Sequence, residues 1–383
     1  MKLLHTADLH IGKRLGERDL MEDQKYILGQ IVEIIDREHV DALLIAGDVY
    51  DRSAPSAEAI ALFEDFLTAL AFRTIPVFII YGNHDSAERL SYGSKIFALH
   101  DIHITDRYEG TVPQITLNDA FGPVHIHLLP NLRVQGIKAY FPDAGIETLD
   151  EAIRTVIDTI DLNPGERNIL VAHQFVVNGS ERPVVSESEI SSVGDSEEIA
   201  ADIFRNFDYV ALGHLHGPQH IGPQTVRYSG SPLKYSKSEA HQHKSVTLVT
   251  LNEKNATVIE EIPLEPLRDV REIIGPISNL ISREVLAAAN REDYVYVTYT
   301  DEIPDEQVVE KISSTYPNYV RIERRVSADL PSPELKSIAE IEHLDPQGIF
   351  REFYEKQRGE PMTDLQQKIV TDTFREIETE GLQ

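Results

Sequence analysis

Apolar positions along this chain follow two spacings that alternate. Short unbroken apolar runs occur at Leu3-Leu4, Leu43-Leu44-Ile45-Ala46, Val77-Phe78-Ile79-Ile80, Ile169-Leu170-Val171-Ala172 and Val210-Ala211-Leu212. Runs of this length and composition read as strands buried on both faces. Residues 20–38 and 56–72 instead place apolar side chains every third or fourth position, as at Ile27, Ile31, Ile34 and Ile35, which predicts helices between strands. Ser56 follows Pro55 and can cap the second helix. Residues 246–251 and 257–259, separated by the polar stretch 252–255, predict a closing hairpin. Strands alternating with helices predict an α/β fold.

Past Pro263 and Pro266 the pattern restarts on a smaller scale. Residues 273–289 have helical spacing, 294–299 read as a strand, 305–314 as a helix and 319–325 as a strand. This predicts a small α+β module. Residues 327–342, with Pro331 and Pro333, are linker-like, and 345–380 carry two helical patterns split by Gly359-Glu360-Pro361. Ile349, Phe350, Phe353 and Tyr354 share one face; Leu365, Ile369 and Phe374 form a second apolar group. A short amphipathic pair buries little by itself. Binding to a partner helix or coiled coil is expected, with docking back onto the main domain as the alternative. The expected organisation is 1–265, 266–328 and 329–383.

Each apolar run ends at a residue that can hold a metal: Asp8 and His10, Asp48, Asn83, His173, and His214 with His216. In open α/β sheets, sites form beyond the carboxyl ends of strands, so five strand ends would aim oxygen and imidazole groups at one place. A single Asp-x-His or His-x-His is weak evidence, because a lone histidine near a strand end is usually a satisfied structural group. Five such elements in order point to two divalent metals and phosphoester hydrolysis. Oxygen and imidazole donors suit ions such as manganese, iron or zinc, and with no cysteine there is no thiolate site. Ions about 4 Å apart need a shared ligand, and Asp48, alone at its strand end, is the natural bridge. Asp8 and His10 can serve one ion; His214 and His216 could clamp one or split between two. His84 follows Asn83, so its ring can face substrate as a general acid or a transition-state donor. His5, within the first strand, is expected to pack; His125 and His127 share a sheet face and are expected to be structural; His241 and His243 are expected to be solvated.

Charge complicates the substrate. The 383 residues carry a formal net charge of −28, whereas nucleic-acid binders are usually basic. Neither part is an exception, with 21 basic against 36 acidic side chains in residues 1–250 and 15 against 28 beyond. Composition therefore does not point to a nucleic-acid substrate; one would have to be held by metals, a partner and a few placed cations, of which Lys13, Arg14, Arg52 and Arg89 lie closest to the motifs. No apolar stretch approaches the 18 residues of a membrane span. Absent cysteines fit a reducing compartment, and Met1-Lys2-Leu3 runs straight into the first strand without a signal-peptide pattern. A cytoplasmic protein is expected.

Asp8-Leu9-His10, Gly47-Asp48-Val49-Tyr50-Asp51, Gly82-Asn83-His84-Asp85, Ala172-His173-Gln174 and Gly213-His214-Leu215-His216 resemble the calcineurin-like metallophosphoesterase superfamily. The stretches 5–13, 82–90 and 228–236 resemble one branch of it, the SbcD-type nuclease subunits that work with SbcC-type ATPases. The resemblance is strong over about the first 250 residues and weaker through 345–359, which is similar to the family's partner-binding end. It implies a two-sheet α/β sandwich, a small capping domain and a C-terminal helical segment that binds the ATPase. It implies Asp8, His10, Asp48 and His216 on one metal, Asp48, Asn83, His173 and His214 on the other, and His84 at the leaving group. Archaeal relatives carry a second catalytic histidine where this chain has Asp51, so that role does not transfer.

The expected function is therefore a manganese-preferring DNA nuclease subunit using a dimetal-activated water. By resemblance it acts 3′ to 5′ on duplex ends and endonucleolytically on single strands or hairpins. It would work in DNA repair and recombination, as a homodimer within a heterotetramer with the ATPase. The alternatives are a stand-alone phosphodiesterase for small substrates such as cyclic nucleotides, and a non-catalytic scaffold on the same fold. The scaffold is disfavoured because no ligand is missing, the small-substrate enzyme because it would not need residues 270–383.

Overall fold

The computed structural model describes residues 1–189, 198–301, 307–325, 347–348, 350–351, 354–355 and 361–380. They group into two compact units, 1–325 and 326–383. In the first, strands β1 (Lys2–Thr6), β2 (Ala42–Ala46), β3 (Val77–Ile80) and β4 (Ile102–Ile104) alternate with helices α1 (Met21–Glu38) and α2 (Ala57–Ala71). Then come β5 (Gln114–Asp119), β6 (Gly122–Leu129), α3 (Leu149–Asp158), β7 (Arg167–His173), β8 (Tyr209–Gly213), β9 (Gln219–His220), β10 (Val226–Tyr228), β11 (Ser245–Leu251) and β12 (Thr257–Pro263). They form two six-stranded sheets, ordered β12-β11-β1-β2-β3-β4 and β9-β10-β8-β7-β6-β5. The first is parallel from β1 to β4, the second from β6 through β7 and β8 to β10.

The fully apolar runs are explained by burial on both faces. Along β2, Leu44 and Ala46 pack between the sheets against Ile169, Val171 and Ala211, while Leu43 and Ile45 pack outward under Ile27, Ile31 and Phe66 of α1 and α2. On the second sheet, Leu170 and Leu212 pack outward against Ile153 and Val156 of α3. The result is the two-sheet sandwich with helices outside. Ser56 caps α2 as expected, accepting from Ala59 N, and β11 and β12 form the closing hairpin.

The small module differs from expectation at its start. Residues 273–289 are not one helix. Val270–Gly275 is strand β13, parallel to β14 (Tyr294–Tyr299), which pairs in parallel with β15 (Tyr319–Arg324). Gly275 and Pro276 end the strand, and only the short turns Ile277–Leu280 and Arg283–Ala287 are helical. Val270, Ile273 and Ile274 are β-branched, and the waiting edge of β14 outweighs their helical spacing. Helix α4 (Val308–Thr315) completes a core of Ile273, Leu280, Val295, Val297 and Ile312.

In the second unit, α5 (Asp364–Glu380) is helical. Its Phe374 ring meets that of Phe350 at 6.2 Å, and Gln366 donates to Tyr354 Oη at 2.8 Å. Part of the predicted apolar face is thus satisfied within the pair, while Leu365 and Ile369 stay exposed. Ile349, Phe353 and the linker 327–342 lie outside the described residues. Among those described, no helix is long and apolar enough to cross a membrane.

Candidate metal centre

The carboxyl ends of the two sheets meet at one end of the sandwich. Leaving β1 and β2, the chain runs as two linked loops, with Asp8 N donating to Gly47 O and His10 N to Asp48 O at 3.0 and 2.9 Å. The backbone bends sharply there. Asp8, His10, Asp48 and His214 have φ of +53°, +43°, +49° and +108°, a region L-residues avoid unless the surroundings impose it, as they do at functional sites. Close approach needs glycines: a Cβ on Gly213 would lie 1.9 Å from Ala46 O, and one on Gly82 2.1 Å from Asp48 Oδ1.

The seven predicted ligands converge. His10 Nε2 and His216 Nε2 face each other at 3.1 Å, and Asp8 completes a group with them. Asn83 Oδ1 lies 3.0 Å from both His173 Nε2 and His214 Nδ1. Asp48 Oδ2 sits between these groups, 3.6 Å from His10 Nε2 and 3.5 Å from His173 Nε2. Asp8 accepts from His214 N at 2.9 Å, which ties the ends of β1 and β8 together. Carboxylate, amide oxygen and imidazole with no sulfur is a donor set that fits borderline-hard divalent ions.

Neighbouring groups orient the rings. His173 Nδ1 donates to Ala46 O at 2.8 Å, which leaves Nε2 free to ligate. His216 Nδ1 lies 3.3 Å from Glu239 Oε1, and Glu239 in turn accepts from Lys244 Nζ at 2.7 Å. His84 Nδ1 donates to Asp51 O at 2.9 Å, and its backbone N–H to Asp48 Oδ1 at 2.9 Å. The His84 ring stands edge-on to His10, with centroids 4.8 Å apart, and is partly exposed where most of the ligands are buried.

Electrostatics reflect two carboxylates sealed among imidazoles. Burial and the nearby Asp48 charge push Asp8 up to about 7, against the pull of His173 and His216. Burial also opposes ionisation of Asp48, but the His173, His10 and His84 rings win and hold it well below the carboxylate range. His173 is raised to about 9, burial being overcome by the Asp48 charge. Burial drops His214 to about 3. Both Asp8 and His173 are thus shifted towards their protonated forms, and cations entering the centre would have to displace those protons. Metal affinity is expected to fall from pH 8 to pH 6, with protons released from His173 and, increasingly at the lower pH, from Asp8. Metal titration calorimetry in buffers of different ionisation enthalpy checks this; heats independent of buffer would exclude a bound proton.

Several supporting residues were not singled out from the sequence. Asp85 accepts from Val49 N, Tyr50 N and Gly82 N at 3.1, 2.9 and 3.0 Å, locking the β2 and β3 loops together. Glu239, Lys244, Glu189 and Ser188 surround His216. Tyr235 donates to Leu9 O and stands edge-on to both His10 and His216. Asp85 and Tyr235 lie inside stretches that resemble the family, the only signal that could have marked them. Glu239 and Lys244 sit in an unremarkable polar segment.

The other histidines singled out from the sequence behave as expected, with one addition. His5 is buried against Tyr209 Oη at 2.8 Å, and His241 and His243 are exposed. His125 has an acidic partner distant in sequence, Glu166, at 2.6 Å. Of the four candidate cations, Lys13 and Arg52 pair with Asp51 at 2.7 and 3.5 Å, Arg14 reaches Asp19 at 3.6 Å, and Arg89 donates to Ser53 O at 3.1 Å. Arg14 and Arg52 line one depression of about 400 Å³ with Asp51.

A family model described as calcineurin-like phosphoesterase matches residues 1–218. The SbcD component of the SbcCD nuclease of Staphylococcus epidermidis is 34% identical over 373 residues, 96% of each chain. The chain belongs to the SbcD family of calcineurin-like phosphoesterases. A second family model, described as type 5 capsule protein repressor C-terminal domain, matches residues 264–358. Among solved structures, a dimetal phosphatase from Danio rerio aligns over 70% of this chain and 98% of its own, at 12% identity and TM-score 0.42. A Thermus thermophilus protein aligns over 68% and 98%, at 13% and 0.40. As an SbcD-family member the chain is a metal-dependent phosphodiester hydrolase of the nuclease class; its family uses a dimetal centre, and the Asp and His clusters of this chain could hold metal.

Proposed function

We propose that this chain cleaves DNA with two divalent ions, manganese by preference. Asp8, His10 and His216 hold one ion, Asn83, His173 and His214 the other, and Asp48 is shared. The observation that carries this is the Asp48 carboxylate, about equally distant from His10 Nε2 and His173 Nε2 at 3.6 and 3.5 Å. When bound, two such ions supply a nucleophile at neutral pH and neutralise charge gathering on the attacked phosphodiester. The side chains do the rest. Asp48 fixes His84 through its backbone N–H, the Asp51 carbonyl sets the ring, and His84 Nε2 delivers a proton to the departing oxygen. Asp51 takes no histidine-like part; it neutralises Lys13 and carries the carbonyl that His84 needs.

The substrate reading rests on the 34% identical SbcCD nuclease component. It comprises 3′ to 5′ degradation of duplex ends and cutting of single strands or hairpins, in cytoplasmic DNA repair and recombination. Lys13, Arg14, Arg52 and Arg89 flank the centre as DNA contacts, residues 266–328 act as a cap restricting access, and residues 329–383 tether an SbcC-type ATPase in a two-plus-two assembly. The test is purified chain with manganese on duplex, hairpin and cyclic-nucleotide substrates, with and without the ATPase. Turnover of the cyclic nucleotide alone would favour a small-substrate phosphodiesterase.

Removing residues from 335 onward is expected to leave a metal-loaded chain that still nicks single strands. ATP-stimulated cleavage of duplex ends should vanish, because the tether is gone and the acidic remainder binds duplex poorly. Co-purification with the ATPase checks this; undiminished complex formation would put the docking site elsewhere.

A further inference from the structure

The small module β13–β15 grips the sandwich at two places, and both lead to the same pair of ligands. Tyr294 begins β14, is buried, and donates to Asp23 Oδ2 in the first turn of α1 at 2.8 Å. Arg268 closes over the other side, with its Nε 3.2 Å from Asp23 Oδ1. The next residue, Gln24, is 1% exposed. It brackets the His10 loop, donating to His10 O at 2.7 Å and accepting from Gly12 N at 2.9 Å. The module is thus linked through two adjacent residues of one helical turn to the backbone that carries His10.

The second grip is ionic. Lys237 reaches Glu272 of β13 at 2.9 Å and Glu323 of β15 at 3.5 Å. Lys237 begins the single turn 237–239 that ends in Glu239, the buried carboxylate behind His216 Nδ1. Ser236, just before that turn, donates to the same Glu239 oxygen at 2.8 Å. Tyr235 then joins the two routes, since its ring stands edge-on to His10 and to His216 at 5.6 and 5.7 Å. His173 and His214 are positioned differently. Ala46 O holds the His173 ring, Asn131 its carbonyl, and Asp8 the His214 backbone, all from the sandwich itself.

We infer that the seating of the 270–325 module sets the affinity of the ion held between His10 and His216, and leaves the Asn83–His173–His214 ion independent of it. Tyr294, Asp23, Gln24 and Lys237 are positioning residues for one of two metals. The inference rests on the dimetal reading above. Its physical basis is that groups behind metal-ligating histidines fix ring orientation and change metal affinity by about 10–100-fold. A partner that moved the module would thereby gate turnover through loading of a single ion.

The test uses full-length Tyr294→Phe, Lys237→Met and the double variant, with Lys237→Arg as conservative rescue. Tyr294→Phe deletes only the hydroxyl, so the module's core is kept. Manganese binding is read by calorimetry and by metal per chain after dialysis, and folding by thermal unfolding. Wild type is expected to bind two ions. The double variant should bind one ion as wild type does and the other roughly ten-fold or more weakly, with Lys237→Arg restored towards wild type. Two unchanged affinities, or equal weakening of both, would overturn the inference. A wild type that binds no metal, or one ion only, would instead overturn the dimetal reading.

Discussion

Asp48→Ala is expected to leave neither ion bound at micromolar metal and to take phosphodiester cleavage to background. In the proposed centre Asp48 would be the shared ligand, its Oδ2 lying 3.6 Å from His10 Nε2 and 3.5 Å from His173 Nε2. Oδ1 accepts from His84 N at 2.9 Å, so the substitution removes a donor from both ions and loosens the residue beside them. His173→Ala removes one donor only. It should weaken one ion first, yet activity should still be lost, because both ions act on one phosphate. The fold should survive in both variants. Asp48 lies past the end of β2, outside the apolar layers. Its removal costs stability through the buried imidazoles that hold its carboxylate ionised and through the unpaired His84 N–H, the latter about 1–3 kcal/mol. Metal per chain, initial rates and thermal unfolding decide the matter. Full occupancy with normal turnover would overturn the ligand assignment.

His84→Ala is expected to keep both ions and DNA affinity while turnover falls about a hundred-fold or more, the scale of positioned acid–base catalysis. His84 Nδ1 is committed to Asp51 O at 2.9 Å, leaving Nε2 as the working nitrogen. The ring is partly exposed and edge-on to His10, at the mouth of the centre. Its nearness cuts both ways, since His84, His10 and Asp48 also lie close enough to share an ion. The metal count separates the two roles. An acid at the leaving group predicts a loss in kcat with little change in KM or metal content. Loss of metal in step with activity would make His84 a ligand instead.

Much of the fold was legible because strand and helix spacing are local properties. The apolar runs of β2, β3, β7 and β8, the faces of α1 and α2 and the Ser56 cap each depend on neighbours within a few residues. The convergence of the candidate ligands was legible because each follows such a run, and strands of a parallel sheet end on the same side. Residues 273–289 misled for the complementary reason. Their helical spacing is real, but Val270–Gly275 had a parallel partner in β14, and pairing with a strand some twenty residues away leaves no mark on local periodicity. His125 likewise meets Glu166 only because β6 and β7 lie side by side. By itself, the order of residues determined most element types of the sandwich, though not that of 270–275, and which side chains could bind metal. Only the tertiary structure decided that Asp48 stands between two groups, that His84 is held by Asp51's carbonyl, and that Glu239 and Gln24 stand behind His216 and His10. Those are contacts between separate segments of the chain, made when two sheets close on one core.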